Sequence, residues 1–303
     1  MKAWIAHESG KRALGEVPEG ITLEVYDGKG DYPSDPSTVD FWVPGFLSAQ
    51  GTTDRLADMT ALSVVQLLTA GVDAWTSKVA DSVTLCSARG VHTASTSEWV
   101  LTAMLTSLRG FDHFVRSQQN AQWEPRVTTS LARKKVLIVG AGDIGKAIAA
   151  RVSVFGAEPI LVARSARDGV HSVDELPTLL PDADVVVMVL PLTNDTRGMV
   201  DAAFLARLKD GALFINAARG PVVVTDALLA ELKSERITAA ADVTDPEPLP
   251  QDHPLWEAPG LLLTPHVGGA LDDMVPTAYE FVGGQLRRFA RDEPLENVIS
   301  GDY

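Results

Sequence analysis

Three residues of complementary chemistry, Arg219, Glu247 and His266, each lie just beyond a short apolar run in the second half of the chain. Arg219 belongs to Asn216-Ala217-Ala218-Arg219-Gly220, Glu247 to Asp242-Val243-Thr244-Asp245-Pro246-Glu247-Pro248, and His266 to Leu263-Thr264-Pro265-His266-Val267-Gly268-Gly269. A guanidinium can hold a carboxylate or a keto oxygen with its fixed fork of donors. A protonated imidazole can donate to a carbonyl oxygen while the carbon is reduced. A carboxylate beside it favours the charged ring and sets its orientation. Together the three suit hydride transfer to a keto acid. Taken singly, each has a plainer reading: a surface ion-pair arginine, a loop glutamate between prolines, a core histidine. Their shared position after strand ends favours the joint reading. His7, His92, His113, His171 and His253 lack this setting and read as surface or structural residues.

A second chemistry-bearing stretch starts at residue 135. Lys135-Val136-Leu137-Ile138-Val139 is a strand-like run, followed at once by Gly140-Ala141-Gly142-Asp143-Ile144-Gly145 and then by apolar residues at helical spacing, Ile148, Val152 and Phe155. In this strand–turn–helix context the glycines match a dinucleotide fingerprint. Gly140 serves the tight turn, Gly142 the approach of backbone to pyrophosphate, and Gly145 the close packing of helix on strand. The helix N-terminus, with Asp143 and Ile144, offers N–H groups to phosphate. After the next run, Pro159 to Ala163, a ribose-binding acid is expected for NAD; the chain has Arg164-Ser165-Ala166-Arg167 instead. Arg164, Ser165 and Arg167 suit a 2′-phosphate, hence NADP(H) in preference to NAD(H). The alternative is an ordinary solvated loop.

The elements that must position these groups alternate. Strand-like runs at Asp184–Leu190, Ala212–Asn216, Ile237–Asp242 and Leu261–Thr264 are separated by helical stretches, one of them around Asp174–Leu180. Such alternation predicts α/β architecture with a doubly wound parallel sheet. The first hundred residues repeat the pattern less regularly, with strands expected at Lys2–Ala6, Leu23–Tyr26, Phe41–Val43, Ser63–Leu67 and Val83–Leu85. One long helix is expected from Glu98 to about Val115, with Leu101, Met104, Leu105, Leu108 and Phe111 on its buried face, and another over about Asp272–Phe289. The reading is of two Rossmann-like domains. Residues 1–98 and 272–303 form the substrate-binding one, and 99–271 form the dinucleotide-binding one inserted into it. Trp75, Trp99 and Trp256 are candidates for pocket walls or for core packing.

The bulk properties narrow the function class. A formal net charge of −14 argues against nucleic acid or an anionic membrane as partner. A small carboxylate remains within reach of one well-placed arginine. Cys86 is the single cysteine, so a disulfide framework or a cysteine-rich metal site is not expected, and no metal site is. No run has the length of a membrane span. Glu8, Lys11 and Arg12 interrupt any apolar leader, which makes the expected location cytoplasmic.

With these motifs in place, the chain resembles the D-isomer-specific 2-hydroxyacid dehydrogenase family over nearly its whole length. The resemblance rests on Gly140–Gly145, Leu190–Gly198, Ile215–Gly220 with Arg219, Glu247-Pro248, Thr264-Pro265-His266, Gln66–Asp73, and the stretches at Arg89–Val91 and Ala94–Glu98. It implies that Ala70 and Gly71 hold the substrate carboxylate through backbone N–H groups, with Arg219 and His266. It also implies that Pro191, Thr196, Ala217, Ala218, Asp242 and Gly268 join the glycine loop at the cofactor. It implies a homodimer built largely through the nucleotide domain. Arg164, where many members carry Asp, aligns the chain with the glyoxylate/hydroxypyruvate reductase branch. The expected substrate is a small 2-oxo acid, reduced to the D-2-hydroxy acid. Two other outcomes stay open: an NAD-dependent D-2-hydroxyacid or 3-phosphoglycerate dehydrogenase, and a dinucleotide-sensing corepressor-like binding protein. A chain without the C-terminal regulatory domain of many 3-phosphoglycerate dehydrogenases is expected.

Overall fold

The computed structural model describes residues 1–46 and 48–300. The chain divides into two compact units. The first comprises Met1–His92 and the segment from Leu271 onward; the second, Thr93–Ala270, is inserted between its two parts. The first unit holds a five-stranded sheet, order β2-β1-β3-β4-β5, from β1 (Lys2–Ile5), β2 (Thr22–Val25), β3 (Phe41–Val43), β4 (Val64–Gln66) and β5 (Thr84–Cys86). The second holds a seven-stranded sheet, order β12-β11-β10-β9-β6-β7-β8. Its strands are β6 (Lys135–Val139), β7 (Glu158–Ala163), β8 (Val170–Ser172), β9 (Val185–Met188), β10 (Leu213–Asn216), β11 (Thr238–Ala241) and β12 (Leu261–Leu263). Neighbouring strands pair in parallel in both sheets. Both sheets are the α/β architecture expected from the sequence. The edge strand β8, only three residues long, has too little hydrophobic pattern to be read from the sequence.

Side-chain alternation explains why the strands read as nearly continuous apolar runs. Leu137, Val139, Val186, Met188 and Phe214 enter one core, while Val136, Ile138, Val185, Val187, Leu213 and Ile215 enter the other. A parallel sheet covered on both faces wants apolar residues at every position. The second of these cores is closed by α1 (Thr93–Arg109), through Val100, Ala103 and Met104, and by α3 (Asp143–Val154), through Ile148, Ala149 and Val152. Helix α4 (Thr225–Lys233) adds Leu228, Leu229 and Leu232 to the first.

The long helix expected over Glu98–Val115 differs from the observed one. Helix α1 begins at Thr93 and ends at Arg109, and Gly110, at φ +61°, starts a separate helix α2 (Phe111–Gln119). A residue in the left-handed region breaks the hydrogen-bond ladder and re-aims the chain. Phe111, expected on the buried face, is therefore 56% exposed. The expected boundary at residue 98 falls inside α1, which packs on α3 and β10 and so belongs wholly to the second unit. The stretch around Asp174–Leu180 forms only short helical turns, since Pro177 and Pro181 each remove a backbone donor.

In the first unit, Ala3, Ile5, Phe41 and Val43 pack with Tyr279, Val282 and Leu286 of α5 (Met274–Ala290). On the opposite face Trp4, Trp42 and Val65 pack with Trp75. Trp42 and Trp75 meet edge to face at 5.7 Å, so Trp75 is core. No described helix is long and apolar enough to cross a membrane.

Candidate active site

The glycine turn after β6 is shaped by contacts that exclude side chains. Gly140 has φ +125°, and a Cβ there would lie 2.3 Å from the Val189 carbonyl oxygen. A Cβ on Gly145 would lie 1.8 Å from the Gly140 carbonyl oxygen. Gly142 differs: nothing lies within 4 Å of its Cβ position. It heads α3 without a side-chain cap, so the first-turn amides of Asp143, Ile144 and Gly145 have no partner within the helix. Bare backbone in front of a helix N-terminus fits the pyrophosphate of a dinucleotide.

Arg164 and Ser165 lie exposed just past β7. Arg167 is tied back: its Nη2 donates to the Ala141 carbonyl at 3.2 Å, which fixes its guanidinium beside the glycine turn. The loop after β9 is closed by Thr196, whose hydroxyl donates to the Pro191 carbonyl at 2.7 Å and accepts from the Thr193 amide at 2.8 Å.

Arg219, Glu247 and His266 lie beyond β10, β11 and β12 of this same sheet. Buried Asn216 secures the first of these loops, donating to the Arg219 carbonyl at 3.2 Å and accepting from the Ala218 amide at 3.1 Å. The Ala217 amide donates to the Met188 carbonyl at 3.0 Å. Gly220 is needed where this loop meets the next, since a Cβ would lie 1.8 Å from the Thr244 carbonyl oxygen. The imidazole Nδ1 of His266 lies 2.6 Å from Glu247 Oε1. A carboxylate only accepts, so Nδ1 carries the proton and Nε2 is the nitrogen left for a ligand. Burial works to raise the Glu247 carboxyl, but the hydrogen bond and charge of His266, the Thr244 amide and the charge of Arg219 hold it below the usual range. Glu247 is therefore an anion at neutral pH, and its hydrogen bond to His266 and the charge of Arg219 couple the three side chains.

His266 sits at φ +55°, unusual for a residue with a side chain. Asp242 holds it there. The His266 amide donates to the Asp242 carbonyl at 2.7 Å; Oδ1 accepts from Thr264 Oγ1 at 2.6 Å and from the Val267 amide at 2.8 Å; Oδ2 accepts from the Gly268 amide at 2.8 Å. Asp242 and Gly268 were expected to face the cofactor. Asp242 is 5% exposed, and its carboxylate accepts the Val267 and Gly268 amides of the histidine loop. Asn216 and Thr264 have no role of their own in the sequence reading, and Trp99 only that of a pocket wall or core residue; the signal at the first two is a polar residue ending a buried run. Trp256 is 53% exposed and donates to the Pro250 carbonyl at 2.7 Å, so it is not core packing.

In the first unit, the loop after β4 carries Ala70 and Gly71. Thr69 Oγ1 donates to the Gly71 carbonyl at 2.7 Å, and buried His92 lies with Nε2 2.6 Å from the Leu68 carbonyl oxygen. His92 thus serves that loop as a strut. Among the described residues no group of three or more His, Cys, Asp or Glu side chains could hold a metal ion.

A parallel sheet with a glycine turn after an interior strand, and Arg, Glu and His at its strand ends, defines a nicotinamide-dependent oxidoreductase. Residues 101–268 match the model of the D-isomer specific 2-hydroxyacid dehydrogenase NAD-binding domain, and the chain belongs to that family. It is 34% identical over 260 residues to glyoxylate/hydroxypyruvate reductase B of Salmonella agona, spanning 78% of this chain and 79% of that protein. It is 30% identical over 275 residues to the chloroplastic/mitochondrial formate dehydrogenase of Arabidopsis thaliana, spanning 85% and 71%. The fold matches the NADPH-dependent glyoxylate/hydroxypyruvate reductase of Sinorhizobium meliloti, solved with NADP and sulfate. The TM-score is 0.85 at 28% identity, over 99% of this chain and 98% of that one.

Proposed function

We propose that this chain is an NADPH-preferring reductase of small 2-oxo acids of the glyoxylate/hydroxypyruvate type, forming the D-2-hydroxy acid. The observation that carries the reading is the His266–Glu247 pair at 2.6 Å, with Arg219 close enough to act on Glu247 by charge. The cofactor, bound along the glycine turn by the amides of Asp143, Ile144 and Gly145, supplies the hydride. Arg164, Ser165 and Arg167 hold its 2′-phosphate, and the Pro191–Thr196 and Ala217–Ala218 loops flank it. Arg219 holds the substrate carboxylate and keto oxygen. His266 Nε2 gives its proton to the keto oxygen as negative charge develops there, while Glu247 stabilises the imidazolium before the transfer. Similarity to the two glyoxylate/hydroxypyruvate reductases supports the substrate class.

The protein acts in this reading as a homodimer. Phe111, Val115, Trp123 and Val127 are 56%, 51%, 96% and 98% exposed on one stretch of the nucleotide unit, which a second copy of the chain would cover. The deciding experiment measures kcat/KM for glyoxylate, hydroxypyruvate, pyruvate and a bulkier 2-oxo acid with NADPH and NADH side by side. NADPH-linked turnover highest on the two smallest acids is expected. Turnover only with NADH, or none with any acid, overturns the proposal.

A further inference from the structure

We propose that Trp99, on α1, is a positioning residue for this reaction: its indole N–H orients the Thr264 hydroxyl, through which Asp242 holds the His266 loop. The inference rests on the catalytic reading above. Trp99 Nε1 donates to Thr264 Oγ1 at 3.1 Å, and Thr264 Oγ1 donates to Asp242 Oδ1 at 2.6 Å. The direction of this chain is set by chemistry. Indole only donates and an ionised carboxylate only accepts, so the hydroxyl between them has one orientation. Asp242 then anchors three backbone amides, those of His266, Val267 and Gly268. These anchors keep His266 at φ +55°, a conformation that costs free energy and persists where surroundings over-determine it. The indole also packs on the loop, its Cγ 3.6 Å from the Cβ position of Gly268. Remove the indole N–H, and the hydroxyl can rotate away from Asp242. The loop then keeps its residues but loses part of its restraint, and the imidazole is aimed less well.

The test uses Trp99→Phe, which keeps an aromatic ring and loses the donor, with Thr264→Val and the double variant. The expected result is a fall in kcat of roughly 3–10-fold for Trp99→Phe, near the worth of one hydrogen bond, with KM for NADPH unchanged. The double variant should be no worse than Thr264→Val, because both act through one chain of bonds. A second readout needs no turnover. Amide hydrogen exchange at Val267 and Gly268 should quicken roughly 3–10-fold in Trp99→Phe, while β6 and the rest of α1 exchange as in the parent protein. Unchanged exchange at these two amides overturns the inference, as does faster exchange throughout α1 and β6 with additive losses of kcat. Should the parent protein turn over no 2-oxo acid, the functional reading fails on its own account, and exchange still decides whether Trp99 holds the loop.

Discussion

At His266 the direction of every interaction follows from which atoms can donate. Glu247 accepts the hydrogen bond from Nδ1–H, so replacing it by Gln should leave the ring in place but remove the anion that favours the imidazolium. A reduction that needs the protonated ring slows as pH rises. The alkaline limb of its pH–rate profile should move to lower pH in Glu247→Gln, measured with saturating NADPH; an unmoved limb would uncouple the pair. His266→Ala should lower kcat roughly 10²–10⁴-fold while KM for NADPH stays near its parent value. Arg219→Lys keeps charge and loses the fork, so steady-state assays should still show a severe loss. Cofactor choice is also decided by single residues. Arg164→Asp should raise KM for NADPH by roughly 10–100-fold and leave NADH kinetics equal or better, since a carboxylate repels the 2′-phosphate. The parent's preference should shrink as salt is added, because Arg164 is exposed and its contact is screened.

At the scale of elements, the two ends of the glycine turn separate packing from binding. An alanine at Gly145 meets the Gly140 carbonyl and must displace α3 from β6. Gly145→Ala should therefore lower the melting temperature by about 2 °C or more and weaken NADPH binding with it. Gly142 has open space at its Cβ position and a φ of −79° that alanine accepts. Gly142→Ala should melt within about 1 °C of the parent yet raise the dissociation constant for NADPH roughly tenfold, because the methyl group occupies the approach of the pyrophosphate. Calorimetry and cofactor titration on the two variants check this. Equal stability losses would mean both glycines serve packing alone. The break at Gly110 belongs to this scale too. It divides one long apolar pattern into a helix that packs on the sheet and a second that exposes Phe111 and Val115.

For the molecule as a whole, that exposed stretch should mediate self-association. Trp123→Asp places a charge on a side chain that is 96% exposed, so the folded unit should tolerate it. Sedimentation equilibrium should find the parent as a dimer and the variant shifted to monomer, with unchanged melting of the nucleotide unit. A monomeric parent would remove the homodimer from the proposal. The acidic surface, at net charge −14, neither helps nor prevents capture of an anionic acid. Screening confines that task to donors at the site itself.

The sequence by itself was enough to determine the alternation of strands and helices and the glycine turn, and to single out Arg219, Glu247 and His266 as candidates. These are local signals: apolar runs buried on both sheet faces, glycines packed against backbone, polar residues where buried strands end. The tertiary structure decided what depends on contacts between distant segments. Trp99 reaches Thr264 across 165 positions, Asp242 reaches Gly268 across 26, and Arg167 reaches Ala141 across 26. No periodicity records such pairings. Asp242 shows the difference most directly. The family resemblance implies only that it lies at the cofactor; the fold adds that it accepts hydrogen bonds from Thr264, Val267 and Gly268 and holds the histidine in a conformation that the loop alone would not keep.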